Sequence, residues 1–328
     1  MLVSLRNYSN YSICESNIKI DDLVNFASKN NLSAIGLTDY KLLSGSLEFS
    51  IKCQKAGIQP IIGLDIDYVS ILGHSKRVTF LSKSEEGFKN LNILSTEVNT
   101  NNNFLLNENN IKNYANGNIL ILGGLYSYFD DIPINQKNLN KVLNEIKNLK
   151  EIFKNDLFFE YDPNLNNILL KEVSKKLEIP LFNSFFSFYK STNDFDAMQI
   201  LHCVKNGEYL QNSTFKINNN YSLDKLVDSY DNSLVLNSQL IAQKINFLIK
   251  EKPISLPNFS KGLASDEDTE IIKQSRSGLD LRLKKLFKDL SIEDFNKKSK
   301  IYRDRLEYEL NVITKMKFSG YFLIVSDF

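Results

Sequence analysis

Histidine and cysteine are scarce in this 328-residue chain, which has two of the former and three of the latter. Cys14, Cys53 and Cys203 are far apart and form no Cys-x-x-Cys pair. This excludes zinc ribbons and disulfide scaffolds and favours free thiols in a reducing cytoplasm. The two histidines, His74 and His202, set a low ceiling on metal chemistry, because imidazole is the commonest ligand for metals in proteins.

The sequence also lacks a strong net charge and long apolar segments. Forty Lys and Arg residues against 39 Asp and Glu residues leave a formal charge of +1, so no bulk basic field favours nucleic acid. No apolar run approaches about 20 residues, the length of a membrane span, and the N-terminus lacks the pattern of a signal peptide. We therefore expect a cytoplasmic protein without a membrane span.

Short β-rich runs alternate with helical patterns up to about residue 190. The periodicity predicts about seven strands, at 2–5, 33–38, 61–69, 77–81, 119–122, 157–161 and 181–185. Helices are predicted between most of them, the clearest at 139–149, and the rest of the chain is mostly helical. Such an order is typical of an α/β barrel or an open α/β sheet. Ligand sites in these folds lie at the carboxyl ends of strands, which makes Asp39 a candidate.

Several segments, in order along the chain, resemble the N-terminal region of the bacterial replicative DNA polymerase III alpha family. They are SLRNYSNYS at 4–12, SAIGLTDYKLLSG at 33–45, AGIQPIIGLDI at 56–66, LSKSEEGFKNL at 81–91, NDFDAMQIL at 193–201 and RLEYELNVITKMKFSGYFLIVSDF at 305–328. The resemblance implies a polymerase-and-histidinol-phosphatase (PHP) domain at 1–260, a distorted, TIM-like, seven-stranded β/α barrel. It implies a truncated, mostly helical start of the palm domain at 261–328. Independently of the resemblance, Pro253 and Pro257 indicate an extended connector at 251–259.

The resemblance also implies where the polymerase chemistry resides. The family's palm carries paired carboxylates in an Asp-x-Asp pattern after a Gly-rich segment, and both lie downstream of the position matching Phe328. The chain stops there inside an apolar run, which indicates truncation. We expect an N-terminal fragment of a DNA-directed DNA polymerase, a nucleotidyltransferase of DNA replication. Alone it would be inactive and without cofactor, since the Mg²⁺ of the full-length enzyme binds downstream.

Metal-dependent PHP domains hold two or three divalent ions with His, Asp, Glu and sometimes Cys side chains. The resemblance places eight residues at or beside those ligand positions: Arg6, Tyr8, Asp39, Tyr40, Asp65, Arg77, Phe186 and Phe188. Only Asp39 and Asp65 could still ligate a metal. Arginine cannot, since it stays protonated, and two carboxylates without imidazoles make a weak site for transition metals. We therefore expect a degenerate, metal-free site whose phenylalanines pack the barrel mouth.

Two interpretations of the surviving acids stay open. Arg6 could replace the lost cationic charge by pairing with Asp39 or Asp65. Alternatively, Asp39 caps a helix or faces solvent. Of the histidines, His74 is expected on an exposed hairpin turn and His202 on an amphipathic helix with a structural role.

The resemblance implies that a degenerate PHP domain serves as a scaffold and as the dock for a separate proofreading exonuclease subunit. A sliding clamp and a clamp loader would bind through regions outside this chain, and primer-template DNA would bind the full-length protein. The alternatives are a metal-dependent PHP phosphoesterase or 3′–5′ exonuclease, which would need the missing imidazoles, and a pure binding module.

Overall fold

The computed structural model describes residues 3–125, 128–129, 136–183, 186–215, 221–225, 234–251, 259 and 266–327. The chain divides into two compact units, Met1–Glu251 and Lys252–Phe328. The predicted boundary between residues 260 and 261 and nearly all of the predicted connector at 251–259 lie outside the described residues. No helix among the described residues is long and apolar enough to cross a membrane.

The first unit is built on a sheet of mixed direction. Its strands are β1 Val3–Ser4, β2 Ala34–Leu37, β3 Gln59–Val69, β4 Ser75–Ser82, β5 Leu106–Asn107, β6 Asn118–Gly123, β7 Leu157–Tyr161 and β8 Leu181–Asn183. The order is β1-β2-β3-β4-β6-β7-β8, and β5 pairs with β3 beside this path. This confirms the predicted α/β class and its seven main strands. The end of the predicted strand 181–185 lies outside the described residues.

Helices cover the connections between most of the strands. They are α1 Ile20–Lys29, α2 Ser46–Lys55, α3 Glu85–Thr100, α4 Gln136–Phe153, α5 Ile168–Leu177, α6 Phe195–Asn206 and α7 Val235–Lys244. Parallel neighbours such as β1–β2 and β6–β7 require such crossovers, whereas antiparallel β3 and β4 are joined by a short hairpin. His74 lies exposed in that hairpin turn, as predicted.

The apolar periodicity of α4 shows why the helices pack on the sheet. Leu139, Val142, Ile146 and Leu149 recur at helical spacing and are buried in the main core cluster. Leu143 packs against the same cluster at its edge. The stripe predicted from the sequence is therefore the face that α4 buries.

The sheet curls strongly, as the position of Arg6 shows. Arg6 follows β1 by two residues, yet its guanidinium pairs with Glu160 on β7. These two strands are five steps apart in the sheet order, which in a flat sheet would separate them by about 24 Å. The sheet is therefore a half-barrel, in agreement with the predicted distorted barrel.

The described part of the second unit consists of helices α8 Glu267–Leu286, α9 Ile292–Lys315 and α10 Ser319–Asp327. Asp266 and Ser291 cap the first two helices by accepting hydrogen bonds from backbone N–H groups of the first turn. Ile271, Leu310 and Leu323 form the small buried core. This confirms the prediction of mostly helical structure in the C-terminal part.

Candidate functional site

The positions that align with metal ligands meet at one end of the curled sheet. Asp39 and Phe186 follow strands β2 and β8, whereas Asp65 lies within β3. Arg6 lies just after β1 and Arg77 on β4. Because the sheet curls, side chains from these distant segments converge on one buried cluster.

Arg6 is the centre of this cluster. Its side chain is 2% exposed, Nη2 lies 3.1 Å from Asp65 Oδ2, and Nη1 forms an ion pair with Glu160. The guanidinium carbon also lies 4.8 Å from the centre of the Phe186 ring, within the range of a cation–π contact. Burial alone would lower the pKa of Arg6, but Glu160 and Asp65 outweigh it and raise the pKa above its ordinary value. The buried guanidinium therefore stays charged.

Asp65 is fully buried, and donors surround its carboxylate. Arg6 and the Tyr8 hydroxyl both donate to Oδ2, while the Thr79 hydroxyl donates to Oδ1 at 2.7 Å. Three donors from two segments, the one after β1 and strand β4, thus compensate the removal of one carboxylate from water.

A second guanidinium lies next to Tyr8. Arg77 Nη1 donates to the Tyr8 hydroxyl at 3.0 Å, and Arg77 binds Glu15 through two hydrogen bonds of 2.8 and 2.7 Å. Lys205, on α6, pairs with the same Glu15 carboxylate. Burial would raise the pKa of Glu15, but the hydrogen bonds from Arg77 and Lys205 lower it below the ordinary value. This triad ties α6 to β4.

Tyr40 forms the outer wall beside this triad. The Arg77 guanidinium stacks on the Tyr40 ring, with Cζ 3.8 Å from its centre. The Tyr40 hydroxyl donates to Asp67 Oδ2 at 2.6 Å, and Lys41 pairs with the same carboxylate. Tyr40 therefore makes cation–π and hydrogen-bond contacts where the family pattern has a histidine ligand.

Asp39 has a separate set of partners. Its carboxylate is 2% exposed and accepts hydrogen bonds from the backbone N–H of Ser9 at 2.7 Å and from the hydroxyls of Ser9 and Ser12 at 2.7 and 2.6 Å. Burial raises the pKa of Asp39, while these hydrogen bonds counteract the rise. The expected pairing of Arg6 with Asp39 or Asp65 is therefore confirmed, and Asp65 is the partner. The alternative, in which Asp39 caps a helix or faces solvent, is wrong, because the loop that carries Ser9 and Ser12 encloses the Asp39 carboxylate.

Phe186 and Phe188 are buried against Tyr8 at the same end of the sheet. The ring centres of Phe186 and Phe188 are 4.4 Å apart, and that of Phe186 is 4.6 Å from Tyr8, all in edge-to-face geometry. Such contacts add packing energy to the burial of the rings. Apolar rings therefore fill the space where the family pattern has an Asp and a His.

These residues do not fit a divalent metal centre. The Arg6 guanidinium lies between Asp65 and Glu160, and the other neighbours of Asp65 are hydrogen-bond donors. Among the residues that the structure describes, no three His, Cys, Asp or Glu side chains are grouped so that they could hold a metal ion. The arrangement can neutralise charge and join strands, but it offers no open coordination position.

Glu160, Glu15 and Lys205 are among the members of the cluster that were not predicted from the sequence. Glu160 had a local signal, since it is the one charged residue in the apolar strand β7. Glu15 and Lys205 had none, because they are 190 residues apart and meet only in the folded chain. His202 lies on α6, as expected, within hydrogen-bond distance of Asn206.

Comparisons with known proteins find similar families, relatives and solved structures. Residues 4–164 match the PHP domain model, and residues 270–328 match the model described as the bacterial DNA polymerase III alpha NTPase domain. Curated relatives include DNA polymerase III subunit alpha from Rickettsia bellii, 31% identical over 344 residues, and from Buchnera aphidicola, 30% identical over 349 residues; both alignments cover 99% of this chain.

The chain spans 29% and 30% of the length of these two relatives, respectively. Among solved structures, an amidohydrolase from Chromobacterium violaceum is similar with a TM-score of 0.41 and 8% identity. That alignment covers 58% of this chain and 88% of the amidohydrolase chain.

Proposed function

We propose, from the premise that this chain belongs to the family of bacterial DNA polymerase III alpha subunits, that it forms the N-terminal part of a replicative DNA-directed DNA polymerase. In this proposal its PHP domain is a metal-free scaffold that docks a separate proofreading exonuclease subunit. The observation that supports a metal-free domain is the buried Arg6 guanidinium between Asp65 and Glu160.

The chemistry of Arg6 explains why this domain would serve as a scaffold. A bound divalent ion lowers the pKa of a water ligand and thereby supplies a hydroxide nucleophile. A guanidinium supplies positive charge but binds no water as a Lewis acid and releases no proton. Arg6 can thus hold the two carboxylates together, as a metal would, without hydrolytic chemistry.

The polymerase reaction itself is assigned to the part of the full-length protein beyond this chain. There, Mg²⁺ held by paired carboxylates would assist nucleotidyl transfer to a primer 3′ end on primer-template DNA. A sliding clamp and a clamp loader would bind through that part too, in the cytoplasm. This chain's contribution is the docking scaffold and the first helices of the palm.

Isothermal titration of the 328-residue chain with the purified exonuclease subunit of the same organism tests the docking. We expect saturable one-to-one binding, and an inability to bind at micromolar concentrations would refute the dock. A parallel assay follows cleavage of a 3′-labelled primer in the presence of Mn²⁺ or Zn²⁺. We expect no cleavage above background. Metal-dependent cleavage that Asp39→Ala abolishes would instead support the alternative, a PHP phosphoesterase or 3′–5′ exonuclease.

A further inference from the structure

The N-terminal ends of helices α8 and α10 meet inside the second unit. Ile271 of α8 and Leu323 of α10 lie together in its buried core. One helical turn closer to each N-terminus, Glu267 of α8 lies beside Gly320 of α10. The N-terminal end of a helix has partial positive charge, so two such ends repel each other unless negative charge lies nearby. This corner of the unit therefore favours carboxylates.

Helix α8 supplies these carboxylates, since α10 has no acidic residue in its own first turn. Asp268 accepts a hydrogen bond from the hydroxyl of Ser319, whose side chain is buried at the start of α10. Phe318 precedes α10 and has no side-chain acceptor that could cap the helix. The start of α10 therefore depends on side chains of α8.

The Glu267 side chain joins α8 to two other segments of the unit. Its Oε1 atom accepts a hydrogen bond of 2.7 Å from the backbone N–H of Phe259, which precedes α8 in the chain. The same carboxylate packs against Gly320, where a Cβ atom would lie 2.6 Å from Oε2 and 2.7 Å from Oε1. These separations are well below van der Waals contact, so any side chain at position 320 would displace the carboxylate.

We propose that Glu267 is a latch that couples the segment before α8 to the start of α10. Because one carboxylate contacts both segments, a displacement at Gly320 moves it away from Phe259 and frees that backbone N–H. The coupling itself is independent of the proposed function, which enters only where α10 is assigned to the start of the palm. In that setting the latch passes a movement at the start of the palm to the connector that precedes α8.

Amide hydrogen exchange at Phe259, followed by NMR in the ¹⁵N-labelled 328-residue chain, measures the coupling. Gly320→Ala adds one methyl group to α10. It should accelerate exchange of the Phe259 amide at least about fivefold, since a hydrogen bond to a charged acceptor is lost. Glu267→Ala should accelerate it to the same extent. The double variant should exchange no faster than either single one, because both substitutions remove the same bond.

Two matched variants distinguish the latch from a general loosening of the unit. Gly278→Ala makes the same change within α8, where an added Cβ atom meets no other segment of the described chain within 4 Å. Glu293→Ala removes an exposed carboxylate from the first turn of α9. Neither variant should accelerate exchange of the Phe259 amide. Circular dichroism and urea unfolding of every variant establish that it is folded.

Three results would overturn the proposal. The first is an unchanged Phe259 amide in Gly320→Ala or in Glu267→Ala. The second is a double variant that exchanges faster than both single variants, because the two residues would then act independently. The third is equal acceleration in Glu293→Ala, which would indicate a general effect of charge. None of these results depends on exonuclease binding or primer cleavage, the assays that test the proposed function.

Discussion

Replacing Arg6 with methionine tests whether a guanidinium holds this site together. The substitution keeps a long apolar stem but removes the positive charge between Asp65 and Glu160, both of which are fully buried. Removal of one partner from a buried ion pair typically costs about 3–5 kcal/mol, because the other charge is left buried without compensation. Arg6→Met leaves two such carboxylates, so we expect a loss of this size or larger.

Unfolding of the chain in urea and by heat measures the effect. For a unit of this size each kcal/mol shifts the melting temperature by about 2–4 °C, which predicts a decrease of about 6–20 °C. Arg276→Met is the matched control. It removes an arginine from an exposed ion pair, which contributes little because water screens it. Its melting temperature should stay within a few degrees of the wild type.

A triple variant separates charge from packing. Asp65→Asn and Glu160→Gln, added to Arg6→Met, remove the uncompensated charges while keeping nearly the same volume. We expect the triple variant to be more stable than Arg6→Met alone, because the penalty comes from buried charge and not from a cavity. A cost below about 1 kcal/mol for Arg6→Met, or a triple variant less stable than the single one, would show that Arg6 is not the compensating cation.

Three further predictions concern other buried groups. Tyr8→Phe should cost about 1–3 kcal/mol in urea unfolding, since it removes a buried hydroxyl that donates to one group and accepts from another. Glu15→Gln should reduce the free energy of unfolding most at neutral pH. Burial opposes the charge of Glu15, but hydrogen bonds from Arg77 and Lys205 outweigh it and lower the folded-state pKa. The stabilisation by the Glu15 carboxylate is therefore fully present above about pH 4 and is lost as the pH falls through that lowered pKa. A stability difference independent of pH would contradict this assignment. Burial raises the pKa of Cys53 to about 12, so iodoacetamide at pH 8 should label it only after unfolding, as peptide mass spectrometry can show.

Local patterns in the sequence were enough to predict the sheet strands and the helix stripes. The spacing of Leu139, Val142, Ile146 and Leu149 indicates which face of α4 is buried. This face could be predicted because the apolar period is contained within the helix itself. The two-residue strand β5 was not predicted, because Leu106 and Asn107 pair with the far end of β3 and carry no period of their own.

The candidate site could be predicted only where a motif fixed the position. Asp65 and Arg6 were predicted as a possible pair because both stand in recognisable segments, and the structure confirms the contact. The hydrogen bonds from Ser9 and Ser12 to Asp39 were not predicted, although both serines lie in the first motif. The sequence does not show which acceptor a serine hydroxyl will face in the folded chain. The contact of Arg6 with Glu160 depends on the curl of the sheet, which brings β1 next to β7.

The departure from the metal-binding pattern is spread over several positions that now depend on one another. Tyr8 donates to Asp65 and accepts from Arg77, while Phe186 packs on both Tyr8 and Arg6. Because the side chains share partners, a substitution at one position would leave the guanidinium and the aromatic rings of the others in place. The buried core preserves the family's fold, and within that fold a fixed organic cation holds the strands together. The domain thereby has an internal positive charge that no chelator can remove.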